Sequence, residues 1–132
     1  MRLVNLAAKV ERLDEATALL GALPGIELTQ VHQLGDDERF AELAVGDTRL
    51  NLFEQAIHDE AREIPAKPGW LHVTYLVDDL DAALADRGWA QALLWGPREI
   101  SGSFGRRRIA FLEPLPGICV ELMEQLEEPS DA

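Results

Sequence analysis

The order of apolar and polar positions divides the chain into short elements of two periods. Leu3 to Val10 alternates, with Val4, Leu6, Ala8 and Val10 on an apolar face and Asn5, Ala7 and Lys9 on the other, which predicts a strand. Leu13, Ala16, Leu19, Leu20 and Leu23 recur at helical spacing until Pro24-Gly25 stops the run. Strands are expected over Ile26 to Gln33, Phe40 to Val45 and Arg49 to Glu54, joined by turns at Gly35-Asp36-Asp37 and Gly46-Asp47. Residues 55 to 68 are polar, hold two prolines and lack alternation, so they read as a connector. The order then returns. A strand over Trp70 to Val77 precedes a helix from Leu80 to Asp86 that Gly88 ends, and a strand over Leu93 to Ile100 is interrupted at Gly96-Pro97. A mobile loop, Gly102 to Gly105, leads to a strand over Arg107 to Leu112, a turn at Pro114 to Gly117 and a last strand over Ile118 to Gln125.

The two halves are copies. Asn5 to Ala16 overlays His72 to Ala83 with the pattern Leu-Asp-x-Ala in register, and Asn51-Leu52-Phe53-Glu54-Gln55 overlays Glu121-Leu122-Met123-Glu124-Gln125. The offsets are 67 residues (Asn5 to His72) and 70 (Asn51 to Glu121), a difference that turn lengths absorb. A repeat of this length with one element order implies an α+β fold of two βαβββ modules related by a pseudo-twofold axis and forming a cleft. The expected bounds within a single domain over 1–132 are module one at 1–54, a connector at 55–68, module two at 69–126 and an acidic tail at 127–132.

Composition narrows the partners. With 132 residues, 47% of them hydrophobic, the chain is long enough to bury a core without staples. Twenty-four acidic against 12 basic residues give a formal charge of −12, which disfavours nucleic acid and favours a cationic ligand. No apolar run reaches membrane-spanning length and the start lacks a signal-peptide pattern, so the expectation is a cytoplasmic protein with no membrane partner. The single cysteine, Cys119, sits in an apolar strand and fits a reducing compartment.

Two ionisable side chains interrupt otherwise apolar strands: His72 in Trp70 to Val77, and Glu121 in Ile118 to Glu124. Burying such a group is costly unless it is paired, metal-bound or facing a wet cavity, so two of them suggest a shared site. Alternation places Asn5, Ala7 and Lys9, then Arg49, Asn51 and Phe53, then Trp70, His72 and Thr74, and finally Cys119, Glu121 and Met123 on the cleft wall. Glu42 and Arg108 join from the third strand of each module. That mixture suits a small oxygenated acid, with Lys9, Arg49 or Arg108 matching a carboxylate and the amides binding hydroxyl or carbonyl groups.

These stretches resemble the vicinal oxygen chelate superfamily of glyoxalases, methylmalonyl-CoA epimerases, ring-cleaving dioxygenases and bleomycin resistance proteins. The resemblance is carried by Leu71 to Ala83, Gly46 to Glu54, Arg108 to Pro114 and Gly117 to Leu122, the last two being most similar to the epimerase branch. It implies a homodimer and a divalent ion (Zn, Ni, Co, Fe or Mn) held between the modules at four places, which here are Asn5, Asn51, His72 and Glu121. Only His72 and Glu121 are the expected ligand types, so the metal site is partial or absent.

What the resemblance implies is an isomerase, epimerase or lyase that stabilises an enolate or oxyanion on a small carbonyl or carboxylate compound. Glu121 or Glu42 would act as base, and His72 with Asn5 or Asn51 as donors. The alternative is a metal-free binding protein of the bleomycin resistance type, with Trp70, Trp89 and Trp95 stacking on a planar cation.

Overall fold

The computed structural model describes residues 2–34, 38–62 and 67–129. Their elements run β1 (Arg2–Lys9), α1 (Leu13–Gly21), β2 (Ile26–Leu34), β3 (Glu38–Val45), β4 (Thr48–Phe53), α2 (Ile57–Arg62), β5 (Gly69–Leu76), α3 (Leu80–Ala85), β6 (Leu93–Gly102), β7 (Gly105–Leu115) and β8 (Ile118–Glu127). All the strands form one sheet in the order β2-β3-β4-β1-β5-β8-β7-β6. Each module contributes four adjacent strands, its first and last running parallel, and the two first strands meet antiparallel at the centre.

The sheet curls until its edges meet. His32 Nδ1 on β2 lies 2.8 Å from Ser103 Oγ in the β6–β7 turn, and a Cβ on Gly102 would fall 2.7 Å from the Gln33 carbonyl. On the convex side α1 covers Ala41, Leu43, Leu50 and Leu52, and α3 covers Ala110, Leu112, Val120 and Leu122. On the concave side Ile109, Phe111, Cys119 and Met123 pack with Ala61 of α2. Strands buried on both faces need not alternate, which accounts for runs such as Ile109-Ala110-Phe111-Leu112.

The internal repeat has a physical basis at the helix starts. The first amide of α1, Leu13 N, donates to Glu54 Oε2 at 2.9 Å, and that of α3, Leu80 N, donates to Glu124 Oε1 at 2.7 Å. In each module the end of the last strand thus satisfies one of the unpaired amides at the helix start. Asp79 adds a cap on α3 by accepting from Ala82 N.

Three sequence expectations change. The connector contains a helix, α2, whose Ala61 and His58 are buried against the concave face. Residues 102–105 form a tight turn rather than a mobile loop, because Phe104 is 1% exposed and fills the space between the sheet edges. Gly105 is required there, since its φ is +95° and a Cβ would stand 2.1 Å from the Glu127 carbonyl. The helix begun at Leu80 ends at Ala85, where Asp86 turns extended, rather than at Gly88, and a separate 3₁₀ segment over Asp86–Ala92 follows it. The expected turn at Gly35-Asp36-Asp37 lies outside the described residues.

Candidate active site

Two bulges aim the central strands. Between Leu3 and Asn5 the strand β1 carries an extra residue, Val4, and between His72 and Trp70 the strand β5 carries an extra residue, Leu71. Val4 and Leu71 are themselves 67 residues apart, so the bulges are copies. Each turns an apolar side chain to the concave side next to Asn5 or His72, where an unbroken strand would alternate.

The concave cavity is lined by Asn5, Phe40, Asn51, Phe53, Ala56, Ile57, His58, His72, Ile100, Phe104, Arg107, Ile109, Phe111, Glu121 and Met123. A more open lobe bounded by Arg2, Glu42, Arg49 and Gln125 shares Asn5, Asn51, Arg107 and Met123 with it. Asn5, Asn51, His72 and Glu121 therefore come together in one cavity, with Phe53 and Met123 beside them. Glu42 and Arg49 stand at its outer lobe.

His72 and Glu121 share the cavity without bonding each other. Thr74, wholly buried, accepts from Asn5 Nδ2 at 3.1 Å and donates to Glu121 Oε1 at 2.9 Å. Burial pushes the Glu121 carboxyl up to about 7, against the pull of the Thr74 hydroxyl and the field of Arg107. With Oε1 engaged as an acceptor, the carboxyl proton belongs on Oε2. His72 Nδ1 lies 3.1 Å from His58 Nδ1, their rings stacked at 5.2 Å. Burial, and then the neighbouring His58, hold His72 down to about 3, so it is a neutral imidazole. Burial and the charge of Arg62 lower His58 as well.

Glu42 is the opposite case. A hydrogen bond from His32 is the largest of several effects that bring its carboxyl down to about 2 despite partial burial. Thr29 Oγ1 donates to Glu42 Oε2 at 2.7 Å, and Arg49 Nε lies 3.8 Å from the same oxygen.

Several expected residues do other work. Lys9 is committed to Asp59 of α2 at 2.6 Å and does not line the cavity. Trp70 is 73% exposed, because the bulge at Leu71 reverses its side. Arg108 points to the convex side and pairs with Asp81 of α3 at 2.9 Å. The register Ile109↔Met123 and Phe111↔Glu121 gives the cavity to the odd-numbered residues of β7, so Arg107 is the arginine that enters it. None of the three tryptophans lines the cavity, and Trp89 packs on the convex core under α3, so the expected aromatic cage is not formed.

His58 and Arg107 were not expected at the site. Nothing in the polar connector marks His58, whereas Arg107 follows once Met123 is placed on the wall and β7 is paired with β8.

The donor set does not fit a tightly held transition metal. Among the described residues no three His, Cys, Asp or Glu side chains cluster to hold one. His72 has one ring nitrogen engaged by His58, Glu121 is biased toward its neutral form, and the other two places carry uncharged amides. Cys119 does not compensate, as burial raises its thiol to about 11.

No protein-family model matches the chain, and no curated protein does. Among solved structures, a methylmalonyl-CoA epimerase of Streptomyces coelicolor in complex with 2-nitronate-propionyl-CoA is 25% identical, with 98% of each chain covered and a TM-score of 0.72. A methylmalonyl-CoA epimerase in complex with methylmalonyl-CoA and ammonium is 25% identical over 98% of this chain and 97% of that one, with a TM-score of 0.71. The enzyme from Mycobacterium tuberculosis is 25% identical over 94% and 87%, with a TM-score of 0.68. The strand order and the paired modules are those of the vicinal oxygen chelate fold, and the chain is folded as these methylmalonyl-CoA epimerases are.

Proposed function

We propose that the protein is an isomerase of the epimerase type, moving a proton on and off a carbon beside a carbonyl in an acyl thioester or similar compound. The observation that carries this reading is Glu121. It is a carboxyl at the cavity wall with one oxygen held by Thr74 and a proton affinity brought to about 7 by burial, which suits a proton donor and acceptor at neutral pH. Glu42, from the other module, is ionised. Two carboxyls held in opposite protonation states are an acid and a base.

The ionised Glu42 takes the proton from the substrate carbon. The C–H electron pair becomes the π bond of an enolate, and the carbonyl pair moves onto oxygen. N–H donors on neutral His72 and on Asn51 face that developing charge. Glu121 then delivers its Oε2 proton to the opposite side of the same carbon, which inverts the centre and leaves Glu42 protonated and Glu121 ionised. Exchange with water resets the pair. Seating the substrate expels water from the outer lobe and raises the basicity of Glu42 from its low value in the free protein. No step is assigned to a metal, because the donor set does not suit one.

The test is incubation with one epimer of methylmalonyl-CoA in deuterium oxide, following deuterium at the substrate carbon by NMR and configuration by circular dichroism. Exchange with inversion that falls by roughly 10²–10⁴ in Glu121→Gln supports the reading. Undiminished inversion in that variant refutes it.

A further inference from the structure

A neutral imidazole faces a cleft as donor or as acceptor according to which nitrogen carries its proton, and a partner on the other nitrogen sets that choice. For His72 on β5 the partner is His58, the second residue of α2. Their Nδ1 atoms are 3.1 Å apart, while the rings lie at 10° to one another with centres 5.2 Å apart. That offset is close to the largest two imidazoles allow across such a contact, so the two Nδ1 atoms point almost straight at each other. Phe111, 1% exposed, packs edgewise against both rings, 5.7 Å from His58 and 5.1 Å from His72, and holds them in this alignment.

Two N–H groups cannot face each other at this distance, and two lone pairs would leave buried acceptors without a donor. One proton therefore lies between the rings. Burial favours the neutral form of both, so each ring holds one proton and two arrangements exist. A proton on His72 Nδ1 leaves a lone pair at His72 Nε2 and an N–H at His58 Nε2. A proton on His58 Nδ1 gives the reverse. The Cys119 sulfur, 3.8 Å from His58 Nδ1, fits either arrangement.

Two features favour the second. Of the charges acting on His58, Arg62, one turn along α2, is the strongest, ahead of Asp59, Lys9 and Glu113, and a cation favours a lone pair over an N–H on the free nitrogen. His72 and Asn51 line the same cavity, where Asn51 Oδ1 is buried with no hydrogen-bond partner. A proton at His72 Nε2 adds a donor to a space that already holds an unpaired acceptor.

We propose that His58 is a positioning residue whose Nδ1–H, donated to His72 Nδ1, fixes His72 as the Nε2–H tautomer. The cleft then presents an N–H at this place to a ligand oxygen such as a carbonyl or enolate, and a cation or a hydroxyl donor finds no lone pair there. The inference rests on the proton-transfer reading for the use made of that N–H, but the tautomer is read without turnover.

The experiment is NMR of the full chain with ¹⁵N in its histidine rings, near neutral pH, with the three histidines assigned by substitution. The expected pattern is a bare Nδ1 and a protonated Nε2 on His72, a protonated Nδ1 on His58, and a ¹⁵N–¹⁵N coupling between the two Nδ1 atoms through the hydrogen bond. A proton bonded to His72 Nδ1, a mixture of both His72 tautomers, or absence of the coupling overturns the proposal in the wild-type protein alone. His58→Gln offers an amide N–H in place of the ring donor and keeps the His72 pattern, whereas His58→Leu moves both His72 nitrogens toward a tautomer mixture. Arg98→Gln loosens the same helix at its surface and leaves the pattern unchanged. On methylmalonyl-CoA, kcat for proton exchange is expected to fall about 10-fold in His58→Leu, the size of one hydrogen bond, with KM nearly constant and most of the rate restored in His58→Gln. A His72 tautomer as pure in His58→Leu as in the wild type also overturns the proposal.

The two readings fail separately. The expected tautomer without deuterium uptake at the substrate carbon keeps His58 in its role and removes the epimerase. Deuterium uptake with a bare Nε2 on His72 does the reverse.

Discussion

Glu121 links the chemistry to stability with opposite signs. Its folded proton affinity, about 7, lies above the ordinary carboxyl value of 4.5, so it contributes stability that is complete below pH 4.5 and is lost as pH rises through 7. Glu121→Gln keeps an acceptor for Thr74 and removes the buried charge. Its melting temperature should therefore exceed the wild type's by a few degrees at pH 8, equivalent to roughly 1–3 kcal/mol, and match it near pH 4.5. A scan showing the same difference at both pH values would contradict this. His72 runs the other way, with a folded value of about 3 against 6.5, so its contribution is present above pH 6.5 and fades as pH falls toward 3. Activity should show an alkaline limb near pH 7 that is absent from the residual rate of Glu121→Gln, because the delivering proton is lost there.

At the scale of elements, α2 is the part that the linear pattern conceals. Its six residues are too few to be helical alone and are held by ion pairs to three strands: Lys9–Asp59 at 2.6 Å, Arg62–Glu113 at 2.6 Å and Arg98–Glu60 at 3.0 Å. The first is the sheltered one, with side chains 12% and 16% exposed. Lys9→Ala should cost about 1–3 kcal/mol by leaving Asp59 poorly solvated and should speed amide exchange across 57–62, whereas Arg98→Ala should cost under about 1 kcal/mol. Equal losses in the two variants would remove this account. The β6–β7 hairpin makes a second test. Gly105→Ala combines a positive φ with a 2.1 Å clash on backbone, so it should lose about 2 kcal/mol or more in chemical denaturation, with the damage centred on the strand pair β7–β8.

For the whole molecule, closure of the sheet brings a base under control. His32, 5% exposed, joins Ser103 at one edge to Glu42, whose Oε1 lies 3.5 Å from His32 Nε2. Phe104 and Phe40 sandwich the same region, with the His32 and Phe40 rings stacked at 4.8 Å. His32→Leu keeps the ring packing roughly filled and removes the hydrogen bond. The Glu42 carboxyl should then titrate well above 2, moving toward 4.5 in carbon-detected NMR, while Ser103→Ala should leave it near its original value. A Glu42 titration that stays near 2 in His32→Leu would mean that Thr29 and Arg49 suffice.

The linear pattern determined the architecture because both modules repeat it. Helix starts at Leu13 and Leu80, the glutamates that cap them and the four places Asn5, Asn51, His72 and Glu121 are all local or duplicated features. A chain with two copies of one message can be read against itself. The tertiary structure decided which side each charged group faces. Alternation assigns parity only along an unbroken strand. The bulge at Leu71 moved Trp70 outward, and the β7–β8 register exchanged Arg108 for Arg107 where apolar residues on both faces left no mark of direction. His58 reached the site through packing of a short helix. The proton affinities of Glu42 and Glu121 diverged because one carboxyl gained donors and the other lost water, and both environments arise only when distant segments come together.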